Sequence, residues 1–535
     1  MPGHLFITHG DLRHLACDAI LVPSGAAPRG RDPRPHVAKH WRKVLPVEAL
    51  DGPYLRQSFA RNRSTRQLTS TRSAAGPTIW VGDTARDRDQ SAADLAEVVA
   101  EFIQRASAQA TNPERPRPLD HRRPLVAFPL VGTGDGFHSQ SKGDVVKAVV
   151  QRALGAVKTH DVDAVLVAYD PAAYAAAQQA RSRYARPPLQ LLPAAQATFD
   201  RVRDEARDGR LVLFLGAGAS MGAGLPSWRT LVNGLIEETL GPDRPSDSQL
   251  GRMDVRDIAT LIEKSGQPKG FRDLIVDQIA VGPRETPRVS LLHQLMASLP
   301  AHEAVTTNYD TLFETAWSDT GRTPTILPRD GQVLSRDWLL KLHGSVDDKE
   351  RIVLSRGDYL RFEREASALA GLVHAALLTR HLLFVGYSLS DDNFHRIVHQ
   401  VRDLQPVDQK GATNVLGTVF TPDEPTVMQQ LWKPELPILS THRKRLRASS
   451  AVRDQAILLD RLAAEASPPG RHLLDESYDA VFNEGERQLR TAIDDLLTLV
   501  EAERVAGKVI RPALRAEVRS ALERFQSQTP TTKSS

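Results

Sequence analysis

The sequence contains a single cysteine, Cys17, among 535 residues. One cysteine excludes an internal disulfide framework, a CxxC pair and a four-cysteine zinc site within the chain. A shortage of cysteine also suits a reducing compartment. The sequence has no run of about 18 apolar residues, so we expect no membrane span. The polar residues near the start are not typical of a signal peptide, and we therefore expect a cytoplasmic protein.

The chain also lacks a strong charge of either sign. It has 69 Lys and Arg against 65 Asp and Glu, which leaves a formal net charge of +4. This small imbalance is not typical of a strongly basic nucleic-acid-binding protein. Apolar residues make up 41% and charged residues 25%, as in ordinary globular proteins. At roughly 150 residues per domain, the length predicts about three domains.

The first third of the chain alternates short apolar runs with amphipathic segments. Runs rich in Val, Ile and Leu are typical of strands that are buried on both faces. We therefore predict an α/β domain over residues 1–185, followed by a proline-rich linker over 186–204. The strand-like runs are 4–8, 18–23, 77–83, 124–134 and 163–170, and the amphipathic segments are 94–106 and 143–157.

A second α/β region is predicted over residues 205–435, with a parallel, Rossmann-like sheet. We expect a helical extension over 436–535 that ends in a frayed tail. Its apolar stripe could serve core packing or assembly. The strand-like runs of the second region are 211–215, 304–308, 339–344, 381–388 and 414–420, and the stripe is formed by Leu489, Ile493, Leu496, Leu497 and Val500.

A glycine-rich turn begins the second region. The apolar run 211–215 leads into Gly216, Ala217, Gly218 and Ser220, and an amphipathic helix follows. Glycine allows a phosphate to approach the backbone, and a helix amino terminus favours an anion. The spacing is one residue longer than the usual dinucleotide fingerprint, and no GK[ST] follows, which excludes a P-loop. On glycine content alone, a tight turn without a ligand remains an alternative.

Three further polar motifs follow strand-like runs in the same region. Asn308 and Asp310 come after the first run, His343 after the second, and Gly386 with Ser388 after the third. Open α/β sheets place ligands at such carboxyl ends. Each residue alone could be a helix cap or a turn residue. Four polar strand ends in one region, including the glycine-rich turn, indicate a shared ligand site.

The motifs GAGAS, GLPSWR, TTNYD, LHGS and GYSLSD occur in this order over about residues 205–425. This series resembles the sirtuin-like NAD-consuming domain, in particular the bacterial branch found in antiphage defence proteins such as Thoeris effectors. The resemblance implies a cleft that holds NAD+. It implies diphosphate contacts from Gly216, Ala217, Gly218 and Ser220, ribose contacts from Trp228 and Arg229, nicotinamide and ribose contacts from Asn308 and Asp310, adenosine contacts from Gly386 and Ser388, and a general base in His343.

The resemblance also implies an activity. Sirtuin deacylases carry a zinc module held by four cysteines, which this chain cannot form. We therefore expect water to replace the acyl oxygen as the nucleophile, which would make the chain a regulated NAD+ glycohydrolase that releases nicotinamide and ADP-ribose without a metal. The expected role is that of an antiphage, abortive-infection effector. NAD-dependent protein deacylation and a non-catalytic NAD or ADP-ribose sensor acting through assembly are the alternatives.

The amino-terminal region resembles a macro domain through Asp11 and through the loop that contains Gly132, Gly134 and Gly136. The glycine loop follows an apolar run, so it could approach a diphosphate closely. The resemblance implies a second site for an ADP-ribose-type signalling nucleotide, although a plain glycine turn remains an alternative. Two nucleotide-type domains on one chain indicate a sensor coupled to an effector. We expect control through this ligand, through a homo-oligomer, or through a partner protein or phage-derived trigger.

Overall fold

The structure is a computed structural model. It describes residues 2–25, 41, 64–68, 76–85, 90–111, 123–134, 138–185, 191–241, 244–266, 269–280, 288–332, 335–365, 367–389, 391–404, 415–421, 431–432, 435–440, 448–468, 470–473, 475–501, 504–505 and 508–509.

The first sheet has six strands in the order β1-β6-β5-β2-β4-β3. All neighbours pair in parallel except β3, which is antiparallel to β4. The five parallel strands therefore end at the same edge. The strands are β1 (Leu5–His9), β2 (Ala19–Gly25), β3 (Thr65–Leu68), β4 (Thr78–Ala85), β5 (Leu125–Pro129) and β6 (Asp163–Ala168).

Three helices cover one face of this sheet: α1 (Ala92–Ala110), α2 (Lys142–His160) and α3 (Pro171–Tyr184). Successive side chains of β1 point to opposite faces. Leu5 and Ile7 pack under the three helices, whereas Phe6 faces the second sheet. Both faces of the sheet are therefore covered, which explains why the strand-like runs are apolar throughout and do not alternate with polar residues.

The second sheet has seven strands in the order β13-β12-β11-β7-β8-β10-β9, and all of them are parallel. From β7 the chain builds the sheet towards β9, and it then returns to the other side of β7 with β11. The strand order therefore reverses between β7 and β11. The strands are β7 (Leu211–Leu215), β8 (Glu303–Thr306), β9 (Thr325–Leu327), β10 (Trp338–Lys341), β11 (His381–Val385), β12 (Gly417–Thr421) and β13 (Ile438–Ser440).

Helices lie on both faces of the second sheet, and a separate helical layer surrounds its carboxyl edge. The helices are α4 (Pro193–Arg207), α5 (Gly218–Met221), α6 (Trp228–Thr239), α7 (Asp247–Leu250), α8 (Val255–Lys264), α9 (Phe271–Ala280), α10 (Leu291–Ala297), α11 (Leu312–Ser318), α12 (Arg356–Glu365), α13 (Ser367–Thr379), α14 (Asp392–Leu404), α15 (Ala448–Ala466) and α16 (Glu484–Glu501). Residues of α6, α8 and α9 form a core of their own with Tyr309, Ile352 and Leu354.

One hydrophobic core joins the two sheets. It contains residues of β1, β7, α10 and α15. Two buried ion pairs attach α15 to the first region: Arg453 contacts Asp163 of β6 at 2.6 Å, and Asp460 contacts Arg181 of α3. Burial of Asp460 would raise its pKa, but Arg181 and a hydrogen bond with His4 outweigh that effect and hold the pKa below its ordinary value.

The structure confirms the predicted α/β class with parallel sheets and corrects two boundaries. The linker predicted over 186–204 is wrong from residue 193, because helix α4 begins at Pro193, where proline suits the first helical turn. The boundary at 435 is also wrong, because β13 adds a strand to the second sheet. The tail predicted to fray, residues 529–535, lies outside the described residues. None of the helices described is long and apolar enough to cross a membrane.

Candidate active site

The candidate site lies at the carboxyl edge of the second sheet, where the strand order reverses. Here the turn after β7 touches the turn after β11. The N–H of Gly218 donates to the carbonyl of Gly386 at 3.0 Å, and the N–H of Gly216 donates to the carbonyl of Val385 at 3.0 Å. A switch point of this kind is the usual place for a ligand in an open α/β sheet.

The glycines of the two turns are required by this close contact. A Cβ at Gly216 would lie 2.5 Å from the carbonyl oxygen of Gly386, and a Cβ at Gly386 would lie 2.3 Å from the nitrogen of Ala219. Gly386 also has a φ of +67°, which favours glycine. Because the amides of Gly216 and Gly218 already donate to the backbone, a diphosphate would meet this turn through other groups.

The Ser220 hydroxyl is the centre of a buried hydrogen-bond network. Its proton is donated to Oδ2 of Asp310 at 2.8 Å, and it accepts a hydrogen bond from Nδ2 of Asn308 at 3.1 Å. Nε2 of His293 lies 3.4 Å from the same oxygen. The other carboxylate oxygen of Asp310 accepts from the N–H of Leu312 at 3.0 Å, at the start of α11. The network therefore joins the turn after β7 to the turn after β8.

The orientation of the Asn308 amide follows from its partners. Its Nδ2 also donates to the carbonyl of Gly216 at 3.1 Å. Since a carbonyl can only accept, the NH2 end must face Gly216. Oδ1 is then directed away, and it is buried without a hydrogen-bond partner among the residues described. Buried polar atoms of this kind are rare in folded proteins and are usually satisfied by water or a ligand.

His343 follows β10 and contacts Asp391 in the turn that follows β11. Nε2 of His343 lies 3.1 Å from Oδ2 of Asp391, and both side chains are almost fully buried. Burial would raise the pKa of Asp391, but the imidazole and the backbone N–H groups of Asn393 and Phe394 outweigh that effect and hold the pKa below its ordinary value. Edge-on contacts with Tyr359 at 5.5 Å further confine the ring.

A buried ammonium group supports the same edge. Lys341, the last residue of β10, is 2% exposed and contacts Glu314 at 2.9 Å. Its Nζ also donates to the carbonyl of Asp310. Burial raises the pKa of Glu314, and the Lys341 ammonium only partly counters this effect. Lys341 therefore ties β10 to the turn that carries Asn308 and Asp310.

The remaining predicted site residues lie around the same edge. Ala217 directly precedes α5. Trp228 begins α6 and packs against the core of the helical layer, and its side chain hydrogen-bonds to the Tyr309 hydroxyl. Arg229 and Ser388 are exposed. The structure thus joins Ser220, Asn308 and Asp310 directly, whereas Trp228 packs against the core of the helical layer.

Three functional candidates were missed by sequence reasoning. His293 lies in an apolar helix segment, and nothing in its spacing distinguishes it from a core residue. Lys341 belongs to a strand-like run in which a lysine is usually solvent-facing. Asp391 stands beside Asp392, which the sequence singled out in the same motif as Ser388, whereas the structure has Asp391 in contact with His343 and Asp392 paired with Arg256.

The predicted second site lies at the carboxyl edge of the first sheet. Oδ1 of Asp11 accepts from the backbone N–H of Arg13, and its carboxylate pairs with the Arg13 guanidinium. His14 contacts Asp319 of the second region at 2.9 Å. Ligand atoms of Asp11, His14 and Asp319 lie within 4.8 Å of one another, as in a metal site, although Arg13 and His14 already balance the two carboxylates.

The glycines predicted for this second site are only partly described. Gly132 has a φ of +74°, and a Cβ there would lie 2.5 Å from Leu95, so packing alone favours glycine. A Cβ at Gly134 would meet open space. Gly136 lies outside the described residues. The macro-like identity of the first sheet therefore stays a prediction.

The fold and the site define a class of protein. A doubly wound parallel sheet carries a glycine-rich turn, an Asn-x-Asp turn and a histidine at its carboxyl edge. In agreement, residues 302–435 match the family model of the SIR2-like domain. This part of the chain is therefore similar to the SIR2-like domain, as the order of the motifs predicts.

Three curated proteins show the range of relatives. The chain is 29% identical over 210 residues to "Defense-associated sirtuin 2" of Bacillus subtilis, which is 38% of this chain and 20% of that protein. It is 30% identical over 209 residues to "NAD(+) hydrolase ThsA" of Enterococcus faecium, or 38% of this chain and 42% of the relative. For the Bacillus cereus protein of the same name, the identity is 26% over 229 residues, which is 42% of this chain and 46% of that protein. The chain thus spans less than half the length of these relatives.

Proposed function

We propose that this chain is an NAD+ glycohydrolase that cleaves NAD+ to nicotinamide and ADP-ribose. One observation supports this function above the others. A buried, unpartnered amide oxygen on Asn308 lies at the same sheet edge as the His343–Asp391 pair. An acceptor oxygen and an imidazole at one ligand edge are suited to orienting and deprotonating a water molecule. Relatives named as NAD(+) hydrolases agree with this chemistry.

The reaction balances without a further reactant. The bond between ribose C1′ and the nicotinamide nitrogen breaks, and the electron pair stays on that nitrogen, which neutralises the cationic ring. The oxygen of a water molecule forms the new bond to C1′. Its proton passes to His343 and then to solvent. The Asp391 carboxylate, 3.1 Å from Nε2 of His343, stabilises the imidazolium through its charge.

Asn308 is assigned to orient the attacking water or the ribose hydroxyls through Oδ1. Burial of Oδ1 without a hydrogen-bond donor lowers the stability of the folded chain. A hydroxyl or water donor in the complex would remove that cost. Positioning of this kind lowers the barrier because the reacting atoms are already aligned.

The wider role is also a proposal. We infer a cytoplasmic antiphage effector, because relatives carry the names of a defence-associated sirtuin and of NAD(+) hydrolases. An unregulated NAD+ hydrolase would exhaust the cell's NAD+, so control is required. We propose a homo-oligomer whose activity is controlled by an ADP-ribose-type nucleotide at the first sheet or by a protein or phage-derived trigger.

The test is a reaction of the purified full chain with NAD+, followed by chromatography of NAD+, nicotinamide and ADP-ribose. It is run with and without added ADP-ribose, and with and without an acetyl-lysine peptide. Equal amounts of nicotinamide and ADP-ribose without peptide support the proposal. Nicotinamide release only with peptide would instead establish deacylation, and tight NAD+ binding without release would establish a sensor.

A further inference from the structure

We propose that His293 is a positioning residue for Asn308 and acts through the hydroxyl of Ser220. This inference rests on the proposed function and assigns a role to a residue that neither the motifs nor the family match singles out. His293 is the third residue of α10, a seven-residue helix, and its side chain is fully buried.

The hydrogen bonds around the imidazole fix its tautomer. The backbone N–H of Ser290 donates to Nδ1 of His293 at 3.3 Å, so Nδ1 carries no proton. The neutral ring must then carry its proton on Nε2, which lies 3.4 Å from Oγ of Ser220. Burial lowers the pKa of His293 to about 4, so the ring is neutral near pH 7.

The tautomer in turn decides how Ser220 is used. A hydroxyl can donate once and accept twice. With Nε2–H of His293 and Nδ2 of Asn308 both donating to Oγ, the single proton of Ser220 is left for Asp310. All three capacities are filled, so the hydroxyl cannot rotate without breaking a bond.

The locked hydroxyl holds the Asn308 amide. Nδ2 is bound to two acceptors, Gly216 and Ser220, so Oδ1 remains the end that is presented for a donor. If Ser220 lost its second donor, its hydroxyl could turn and the amide would lose a fixed partner. His293, which holds the Asn308 amide through Ser220, therefore lies outside the turn motifs, on helix α10.

The experiment compares His293→Leu and His293→Gln in steady-state NAD+ cleavage by the full chain. Gln can still accept from Ser290 and donate to Ser220, whereas Leu can do neither. We expect kcat of H293L to fall about tenfold, the effect of one lost hydrogen bond, with KM changed less than about threefold. We expect H293Q to retain kcat within about threefold of the unsubstituted chain.

Two further variants separate positioning from helix capping. Ser290→Ala removes the cap of α10 and a hydrogen bond to the carbonyl of Ala219, but it keeps the backbone N–H that sets the His293 tautomer, so we expect a lower thermal midpoint and a smaller fall in kcat than in H293L. Ser220→Ala alone and together with His293→Leu should give the same kcat, because the histidine acts through that hydroxyl. Additive losses in the double variant, or a lowered thermal midpoint of H293L with an unchanged kcat, would overturn the inference.

The two proposals fail in different ways. If the unsubstituted chain releases nicotinamide and H293L matches it, the positioning role is wrong and the NAD+ hydrolase function stands. If the unsubstituted chain releases none in any arm, the proposed function is wrong and the positioning role falls with it.

Discussion

His343 and Asp391 contact each other at 3.1 Å although two strands separate the strands that carry them. His343 follows β10, Asp391 follows β11, and β8 and β7 lie between. The pair therefore spans the ends of the strands from which Asn308 and the glycine-rich turn emerge. The pair therefore lies at the carboxyl edge, where open α/β sheets place their ligands.

The first prediction concerns Asp391. Asp391→Asn keeps the shape of the side chain and removes the charge that stabilises a protonated His343. We expect kcat for NAD+ cleavage to fall about 100-fold, within the usual contribution of general acid–base catalysis. The matched control is Asp392→Asn, which removes the exposed neighbouring carboxylate that pairs with Arg256. Equal losses in both variants would show that the turn needs negative charge in general and not at Asp391.

The second prediction concerns Gly386. Gly386→Ala places a Cβ 2.3 Å from the nitrogen of Ala219 in a left-handed conformation. The turns after β7 and β11 must then separate, so we expect a lower thermal midpoint and loss of NAD+ cleavage. Gly371→Ala is the control, since a Cβ there meets nothing within 4 Å. It lies within helix α13 and should stabilise the chain by ~1 kcal/mol.

The sequence predicted the parts of the fold that depend on long apolar runs. The run 211–215 coincides with β7, and the runs before Asn308, His343 and Gly386 coincide with β8, β10 and β11. The three-residue strands β9 and β13 were missed because three residues carry too little periodicity to stand out. Their pairing depends on neighbouring strands that are distant in sequence.

The site could be predicted in outline for a similar reason. Glycines and polar residues directly after strands identify a carboxyl edge without knowledge of packing. The partners of those residues could not be predicted, because His293 reaches Ser220 from 73 positions away. The sequence of its helix resembles an ordinary apolar helix, and only the fold brings its imidazole to the hydroxyl.

The third prediction concerns the buried Lys341–Glu314 pair. Lys341→Met leaves the carboxylate of Glu314 buried without its cation, and we expect the free energy of unfolding to fall by about 3–5 kcal/mol. The double variant K341M/E314Q should recover part of that loss, because no buried charge remains. Lys349→Met breaks an exposed pair with Asp273 and should change stability little. Urea unfolding of the four proteins tests this prediction, and equal losses for K341M and K349M would contradict it.

The fourth prediction concerns pH. Burial lowers the pKa of His381 to about 4 from its ordinary value of 6.5. The folded chain therefore binds fewer protons than the unfolded chain between these values, and stability falls as pH decreases through this window. Between pH 7 and pH 5 the loss from His381 should be about 2 kcal/mol. His381→Gln should reduce that loss, whereas His374→Gln at the surface should leave it unchanged; identical pH dependence in H381Q and the unsubstituted chain would contradict the assignment.

The most direct measurement of the central claim is nicotinamide release at saturating NAD+ by the unsubstituted chain, Asn308→Ala and His343→Ala. The site described here predicts release by the unsubstituted chain and a fall of at least about 100-fold in each variant, with folding unchanged by circular dichroism. Full activity in both variants would contradict the account.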